Sequence, residues 1–255
     1  MRILLTNDDG IHAAGLHAAC KALENCGDVW VVAPEKPRSA AGHAITLHKP
    51  LRINPWPADS NDRSFSVSGT PSDCVTLGYD VIMKGECDLV VSGINHGTNL
   101  GWDLTYSGTV SAAMEGAIVG LQAIAISLET APGHSAGLKH DFELAGTTLI
   151  NLVHRLKSDP LPPFTLLNVN IPLGAQQGKI EVTSQGKRVY LERFAERTDP
   201  SGRPYYWITG RPAPDNDDGD TDVNSLKQGA ISITPVQLDM TAYHLLDKIR
   251  GWHLD

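Results

Sequence analysis

Cysteine is sparse in this chain of 255 residues, and Cys20, Cys26, Cys74 and Cys87 form no CxxC pair and no zinc spacing. A secreted disulfide framework would be denser and usually shorter, so the thiols read as reduced, in a cytoplasmic protein. Basic charge is also lacking. Lys and Arg number 21 against 29 Asp and Glu, a net charge of −8, which argues against a nucleic-acid partner, whose footprint on a protein is basic. A small phosphorylated ligand stays open, because local charge at a site can oppose the global balance. No signal-peptide pattern is present, and the longest apolar-looking stretch, 117–128, is interrupted by Gly120 and Gln122 and too short to cross a bilayer. No membrane partner is expected. Internal repeats, a P-loop and a GxGxxG are all missing, so any nucleotide chemistry needs another arrangement.

What is present is an alternation of short apolar runs with helical patterns. The chain opens on a strand at 3–5, and Leu16, Ala19, Cys20 and Leu23 then recur at helical spacing. Residues 29–33, 88–92, 123–127 and 166–169 read as further strands, a helix begins near Val110, and 140–157 reads as an amphipathic helix. Strands that are apolar on both faces indicate an α/β fold, a mostly parallel sheet with helices on both sides. From about Gly178 the pattern changes. Alternating segments flank Pro200-Ser201-Gly202 as a β-hairpin, "GAISITP" is one more strand, and 241–252 is a final helix. The expected organisation is an α/β core, 1–177, and a C-terminal extension, 178–255, that is not an independent domain.

In an open α/β sheet, ligands bind outside the carboxyl ends of the strands. Asn7-Asp8-Asp9-Gly10 follows the first strand, Ser39 lies in the loop after the second, and Asn95 and Asn99 follow the third. Neighbouring side chains on a strand point to opposite faces, so Asp8 and Asp9 aim at one target only if the chain turns there. The bland reading is a turn with Asp capping the next helix. The sharper one is a hard-cation site: Asp8, Asp9, the Ser39 hydroxyl and the Asn95 amide oxygen form an all-oxygen set suited to Mg²⁺ or Mn²⁺ rather than zinc.

In "YSGTVSAAM", Gly108 between Ser107 and Thr109 at a helix start offers backbone N–H groups and the positive dipole end to an anion such as phosphate. An ordinary N-cap is the alternative. "SGTPSDC", 68–74, is a helix-entry signal. Gly133-His134-Ser135-Ala136-Gly137 matches the serine-hydrolase pattern G-x-S-x-G, which would make Ser135 an esterase nucleophile, but Pro132 and further loop residues separate it from its strand. His12, His43 and His96 lie near the expected rim, and a His beside phosphate can act as general acid; the string does not choose among them. The acidic run 215–220 lacks the ligand order and closing Glu of an EF-hand and reads as a solvated loop.

Taken together, "ILLTNDDGI", "VVAPEKPRSAAGHAITL", "SGTPSDCV", "DLVVSGINHGTNLGWDLTYSGTVSAAMEG" and "ISITPVQLDMT" resemble, in order, the SurE survival-protein family of metal-dependent nucleotidases. The resemblance covers essentially the whole chain. It implies a Rossmann-like core, an extension used in oligomerisation as a homodimer or homotetramer, and hydrolysis of nucleoside 5′- or 3′-monophosphates to nucleoside and phosphate. It also implies one divalent cation per subunit on Asp8, Asp9, Ser39 and Asn95, and phosphate contacts from Asn99, Ser107, Gly108 and Thr109. The mechanism expected is attack by a metal-activated water, one of the two aspartates accepting its proton. Ala14 stands where the family often has Pro, and Ala40 follows Ser39 where Gly is common. A non-catalytic nucleotide-binding regulator is the remaining alternative.

Overall fold

Leu4 belongs to one apolar cluster while its neighbours Ile3 and Leu5 belong to another, so the first strand is buried on both faces and organises the rest. The elements of this computed structural model follow in chain order: β1 (Arg2–Thr6), α1 (Ala14–Leu23), β2 (Asp28–Pro34), β3 (Ile53–Pro55), β4 (Ser64–Val67), α2 (Pro71–Leu77), β5 (Leu89–His96), α3 (Gly108–Ile118), β6 (Gln122–Leu128), α4 (Asp141–Ser158) and β7 (Thr165–Ile171). The remainder comprises β8 (Ile180–Val182), β9 (Tyr190–Leu191), β10 (Phe194–Thr198), β11 (Pro204–Ile208), β12 (Arg211–Pro212), α5 (Asp222–Lys227), β13 (Ile231–Gln237) and α6 (Leu246–Arg250). The structure describes residues 1–56, 62–130, 141–174, 179–213 and 219–252.

Nine strands form one sheet in the order β3-β4-β2-β1-β5-β6-β7-β13-β8. The run from β4 to β7 is parallel throughout. The chain leaves β1 toward β2 on one side and returns to β5 on the other, so the crevice at the carboxyl ends of β1 and β5 is the topological switch point where such sheets bind ligands. Helices α1 and α4 cover one face with Leu16, Ala19, Leu149 and Val153, while α2 and α3 cover the other with Val75, Val110 and Ala113. Small residues bring α3 close: a Cβ on Gly116 would lie 2.7 Å from the Cβ of Val90. Helix α2 starts with a complete capping box between Thr70 and Asp73 and has Pro71 in its first turn, as "SGTPSDC" indicates.

Beyond residue 178 the chain returns to the sheet. β13 pairs antiparallel with β7, from Ser232 opposite Asn170 to Gln237 opposite Thr165, and β8 pairs parallel with β13. The expected hairpin is β10 against β11, closed over Pro200-Ser201-Gly202, with β9 and β12 paired at its base. Two differences from the sequence reading stand out. The edge pair β3–β4 has strands of only three and four residues, too short for periodicity to show. The final helix shrinks to a 3₁₀ turn, Tyr243–Leu245, and the five residues of α6, none of them buried. A helix that short, with no packed face, has little to hold a longer one together.

Candidate active site

The turn after β1 is built by its own asparagine. Asn7 Oδ1 accepts from the Gly10 amide and Asn7 Nδ2 donates to the Gly10 carbonyl, both at 3.1 Å. Gly10 takes φ +93, and a Cβ there would press on the Pro34 carbonyl at 3.2 Å. The chain therefore turns just after the carboxylates, as their convergence requires. Neither carboxylate caps α1, whose N-cap is Ala13 with no side-chain bond. That leaves the capping reading without support.

Asp8 is 5% exposed. Its Oδ1 accepts from the Thr109 hydroxyl at 2.6 Å, and its main-chain carbonyl accepts from the Arg38 amide at 2.7 Å. Burial pushes its carboxyl up to about 6, against the lowering effect of the Thr109 bond and with a further raise from Asp9. Asp9 Oδ2 accepts from the His96 amide at 3.1 Å, and burial raises this carboxyl too. The Arg38 bond draws the loop after β2 against Asp8, which brings the neighbouring Ser39 to the rim with its side chain exposed.

Asn95 reaches the same rim through an irregularity in β5. The register with β6 shifts between Ser92 and Asn95, and a Cβ on Gly93 would fall 2.3 Å from the Ile126 carbonyl. A bulge of this kind re-aims the side chains beyond it. Asn95 Nδ2 donates to the Gly97 carbonyl at 2.8 Å, and no hydrogen bond to its Oδ1 is found among the described residues. Helix α3 begins at the same place. Ser107 is its N-cap, accepting from the Val110 amide at 3.1 Å. A Cβ on Gly108 would lie 2.7 Å from Asp8 Cβ and 3.0 Å from Asp8 Oδ2, so only glycine lets the helix start this close to the carboxylate. The first-turn N–H groups of α3 have no partners inside the helix.

Of the eight residues singled out, Asp8 therefore touches Gly108 and Thr109, Asp9 is held by the segment after Asn95, and Ser39 and Asn95 stand beside them. Thr109 carries a role the sequence did not suggest: its hydroxyl orients Asp8. Asn99 is buried, donating through Nδ2 to Ser127 Oγ at 2.8 Å. Three bonds hold its backbone. Its amide donates to Asn170 Oδ1 at 2.8 Å, and its carbonyl accepts from Asn168 Nδ2 at 2.9 Å and from Asn170 Nδ2 at 3.0 Å. Sequence reasoning passed over Asn168 and Asn170. Two asparagines at i and i+2, one face of an otherwise apolar central strand, were the available signal, since buried amides need partners.

The histidines are accounted for differently. His12 packs edge-on against Trp56 with ring centroids 4.5 Å apart. His43 Nε2 pairs with Glu115 Oε2 at 2.7 Å, and His96 gives its amide to Asp9. Ser135 and most of the acidic run lie outside the described residues. Among the described residues no three His, Cys, Asp or Glu side chains cluster as a metal site, so a nitrogen- or sulfur-rich centre is not formed there. A buried carboxylate and a half-buried one, both with raised pKa values, together with the Ser39 hydroxyl and the Asn95 amide oxygen on the adjoining segments, offer an oxygen set whose charge a hard divalent cation would satisfy.

The family description "Survival protein SurE" matches residues 3–192. The chain belongs to the SurE family. It is 46% identical, over 99% of its length and 98% of the relative's, to a protein named 5′-nucleotidase SurE from Caldanaerobacter subterraneus subsp. tengcongensis. It is also 46% identical to the 5′-nucleotidase SurE of Pelotomaculum thermopropionicum, over 98% and 94% of the two chains. The crystal structure of a SurE protein from Aquifex aeolicus superposes with a TM-score of 0.83 at 40% identity, covering 98% of each chain. That solved structure thus shares the fold over nearly the whole chain, the C-terminal region included. No helix among the described residues is long and apolar enough to cross a membrane.

Proposed function

We propose that this protein is a metal-dependent nucleotidase that hydrolyses nucleoside 5′-monophosphates, and 3′-monophosphates where they fit, to nucleoside and phosphate. The observation that carries the reading is the contact between Asp8 and Gly108, which sets a buried carboxylate against the N-terminus of α3. An anion and two carboxylates repel one another unless a cation lies between them. A pure binding module gains nothing from that arrangement, whereas a phosphomonoesterase uses both halves of it.

Asp8, Asp9, Ser39 and Asn95 would hold one Mg²⁺ or Mn²⁺ per subunit. When bound, the ion supplies Lewis-acid activation of a water and of a phosphate oxygen. The rest falls to the chain. The Thr109 hydroxyl holds the Asp8 carboxylate, the Arg38 amide holds the Asp8 main chain, and the His96 amide holds the Asp9 carboxylate, so both are positioned ahead of the chemistry. The first turn of α3 at Ser107, Gly108 and Thr109 would donate to the phosphoryl oxygens and stabilise charge that develops on them. Asn99, whose Nδ2 already donates to Ser127 Oγ, would contact the phosphate through the second hydrogen of that amide. One of the two aspartates takes the proton of the attacking water, with Asp9 the more exposed of the pair.

The test is phosphate release from a panel of nucleoside 5′- and 3′-monophosphates, on metal-stripped protein and again after Mg²⁺ or Mn²⁺ is added. Release that depends on metal supports the reading and ranks the substrates. Release from stripped protein, or none from folded and loaded protein, overturns it.

The hairpin supports a second part of the proposal, self-association as a homodimer or homotetramer in the cytoplasm. Ile208 is 84% exposed, with Phe194 directly opposite it and Tyr206 two residues before it standing open on the same face, while Trp207, 63% exposed, lies on the other; exposed apolar surface of this kind marks an interaction site. Because β13 lies inside the sheet next to β7, we take 178–255 as an extension of one catalytic unit, not as a second domain.

A further inference from the structure

We infer that the C-terminal segment forms a wall of the phosphate site, in which Asp222 is a positioning residue for the loop that carries Asn99. Asp222 sits at the start of α5 and is fully buried. Its Oδ2 accepts from the Gly101 amide at 2.8 Å, and its Oδ1 accepts from the amides of Gly186 and Val223 at 2.9 and 2.8 Å. One carboxylate thus ties residue 101, two positions past Asn99, to the segment that follows β8. Gln185 Nε2 donates to the Gly101 carbonyl at 2.9 Å, so both polar groups of that residue are fixed from the same side.

The same segment continues along the loop. Arg188 Nη1 lies 3.2 Å from Asp103 Oδ2 and donates to Thr98 Oγ1 at 3.4 Å, and the Tyr190 hydroxyl donates to Asp103 Oδ2 at 2.5 Å. Gly101 has φ +54, and a Cβ on it would fall 2.9 Å from the Gly186 carbonyl, so the two stretches of backbone touch. On the other side, Asn168 and Asn170 hold the amide and carbonyl of Asn99. The loop is clamped between the sheet and the extension.

A buried carboxylate is costly unless it is satisfied, and apolar packing by Leu100, Val223 and Leu226 already attaches this region. What the charged anchor adds is direction. Charge-assisted bonds from the Gly101 and Gly186 amides to the one carboxylate fix where residue 101 lies, and through it where Asn99 lies. The extension is then part of the catalytic framework in each subunit, whatever it does between subunits.

This inference rests on the reading of Asn99 as a phosphate contact. Its test is Asp222→Asn in the full chain, compared with wild type for Mn²⁺ affinity by calorimetry, for inorganic phosphate affinity of the Mn²⁺-loaded protein, and for kcat and KM. Phosphate affinity and kcat/KM are expected to fall about tenfold through misplacement of the loop. Mn²⁺ affinity should stay within about twofold, because Asp8, Asp9 and Ser39 lie on other elements and Asn95 lies within β5, ahead of the clamped loop. Unchanged phosphate affinity overturns the inference, and so does a parallel loss of metal and phosphate binding, which would mark general loosening. If Asp222→Asn does not fold, Tyr190→Phe decides: it removes only the hydroxyl bond to Asp103 and should shift phosphate affinity the same way, by about threefold, with no shift counting against the inference. Wild-type protein that binds phosphate but releases none from any nucleotide would overturn the nucleotidase reading, while the phosphate comparison would still decide this one.

Discussion

The Thr109 hydroxyl donates to Asp8 Oδ1 at 2.6 Å, joining residues 101 positions apart in the chain. This bond links the carboxylate at the end of β1 to the first turn of α3, the two parts that a phosphomonoesterase must hold in register. It is short, buried and made to an ionisable group, which places it among the stronger hydrogen bonds.

Thr109→Val removes that bond while keeping the shape of the side chain. Loss of a bond to a charged group is worth roughly 1.5–3 kcal/mol, so kcat/KM should fall on the order of 10- to 100-fold. Thr109→Ser keeps the hydroxyl and should retain most of the activity. Steady-state kinetics on the pair separates the role of the hydroxyl from that of the helix start.

Gly108→Ala tests the contact itself. The added methyl would stand 2.7 Å from Asp8 Cβ, and neither backbone can retreat without moving Asp8 or the start of α3. A displacement of that size in a catalytic group costs on the order of 10²-fold in rate. Near-normal turnover in Gly108→Ala would show that Asp8 and the α3 start need not lie so close.

Ala40 makes the opposite prediction. It occupies the left-handed region at φ +55, directly after Ser39, where an alanine pays about 1–2 kcal/mol that glycine does not. Set against the greater unfolded-state entropy of glycine, Ala40→Gly should stabilise the protein by about 0.5–1 kcal/mol. Thermal unfolding should shift upward by about 2 °C, with no loss of metal-dependent activity.

Asp73 gives a pH dependence. Burial raises its carboxyl, but bonds from the Thr46 hydroxyl at 2.6 Å, the Thr46 amide at 3.0 Å and the Thr70 amide at 2.8 Å outweigh it and hold the group below its ordinary value. With the folded value depressed, the unfolded chain takes up the proton first as the medium is acidified. The stabilisation is therefore complete above the ordinary Asp value of about 4 and is lost as pH falls through the folded one. Asp73→Asn should destabilise the protein at pH 7 by about 1 kcal/mol through the weakened cap of α2, which appears as a lower melting temperature. The gap from wild type should close under acid. Melting curves taken between neutral and strongly acid pH read this directly, and a gap of constant size would rule out the carboxylate as its source.

Much of this molecule is determined locally. The strands at 3–5, 29–33 and 123–127 are apolar runs, and helix α4 is an amphipathic period, so the element type follows from which side chains must leave water. The parallel sheet follows from strands buried on both faces, and the sheet places "TNDDG", Ser39, Asn95 and "YSGT" at one rim. What tertiary structure alone decided is which polar groups meet there. The Thr109 bond to Asp8, the clamp of Asn168 and Asn170 on Asn99, and the reach of Asp222 back to Gly101 span tens to more than a hundred residues. Such pairings leave no periodic trace, because a buried donor or acceptor can be satisfied from any element that arrives within 3 Å. Composition and spacing determine where chemistry can gather; the packing of distant segments determines which atoms carry it.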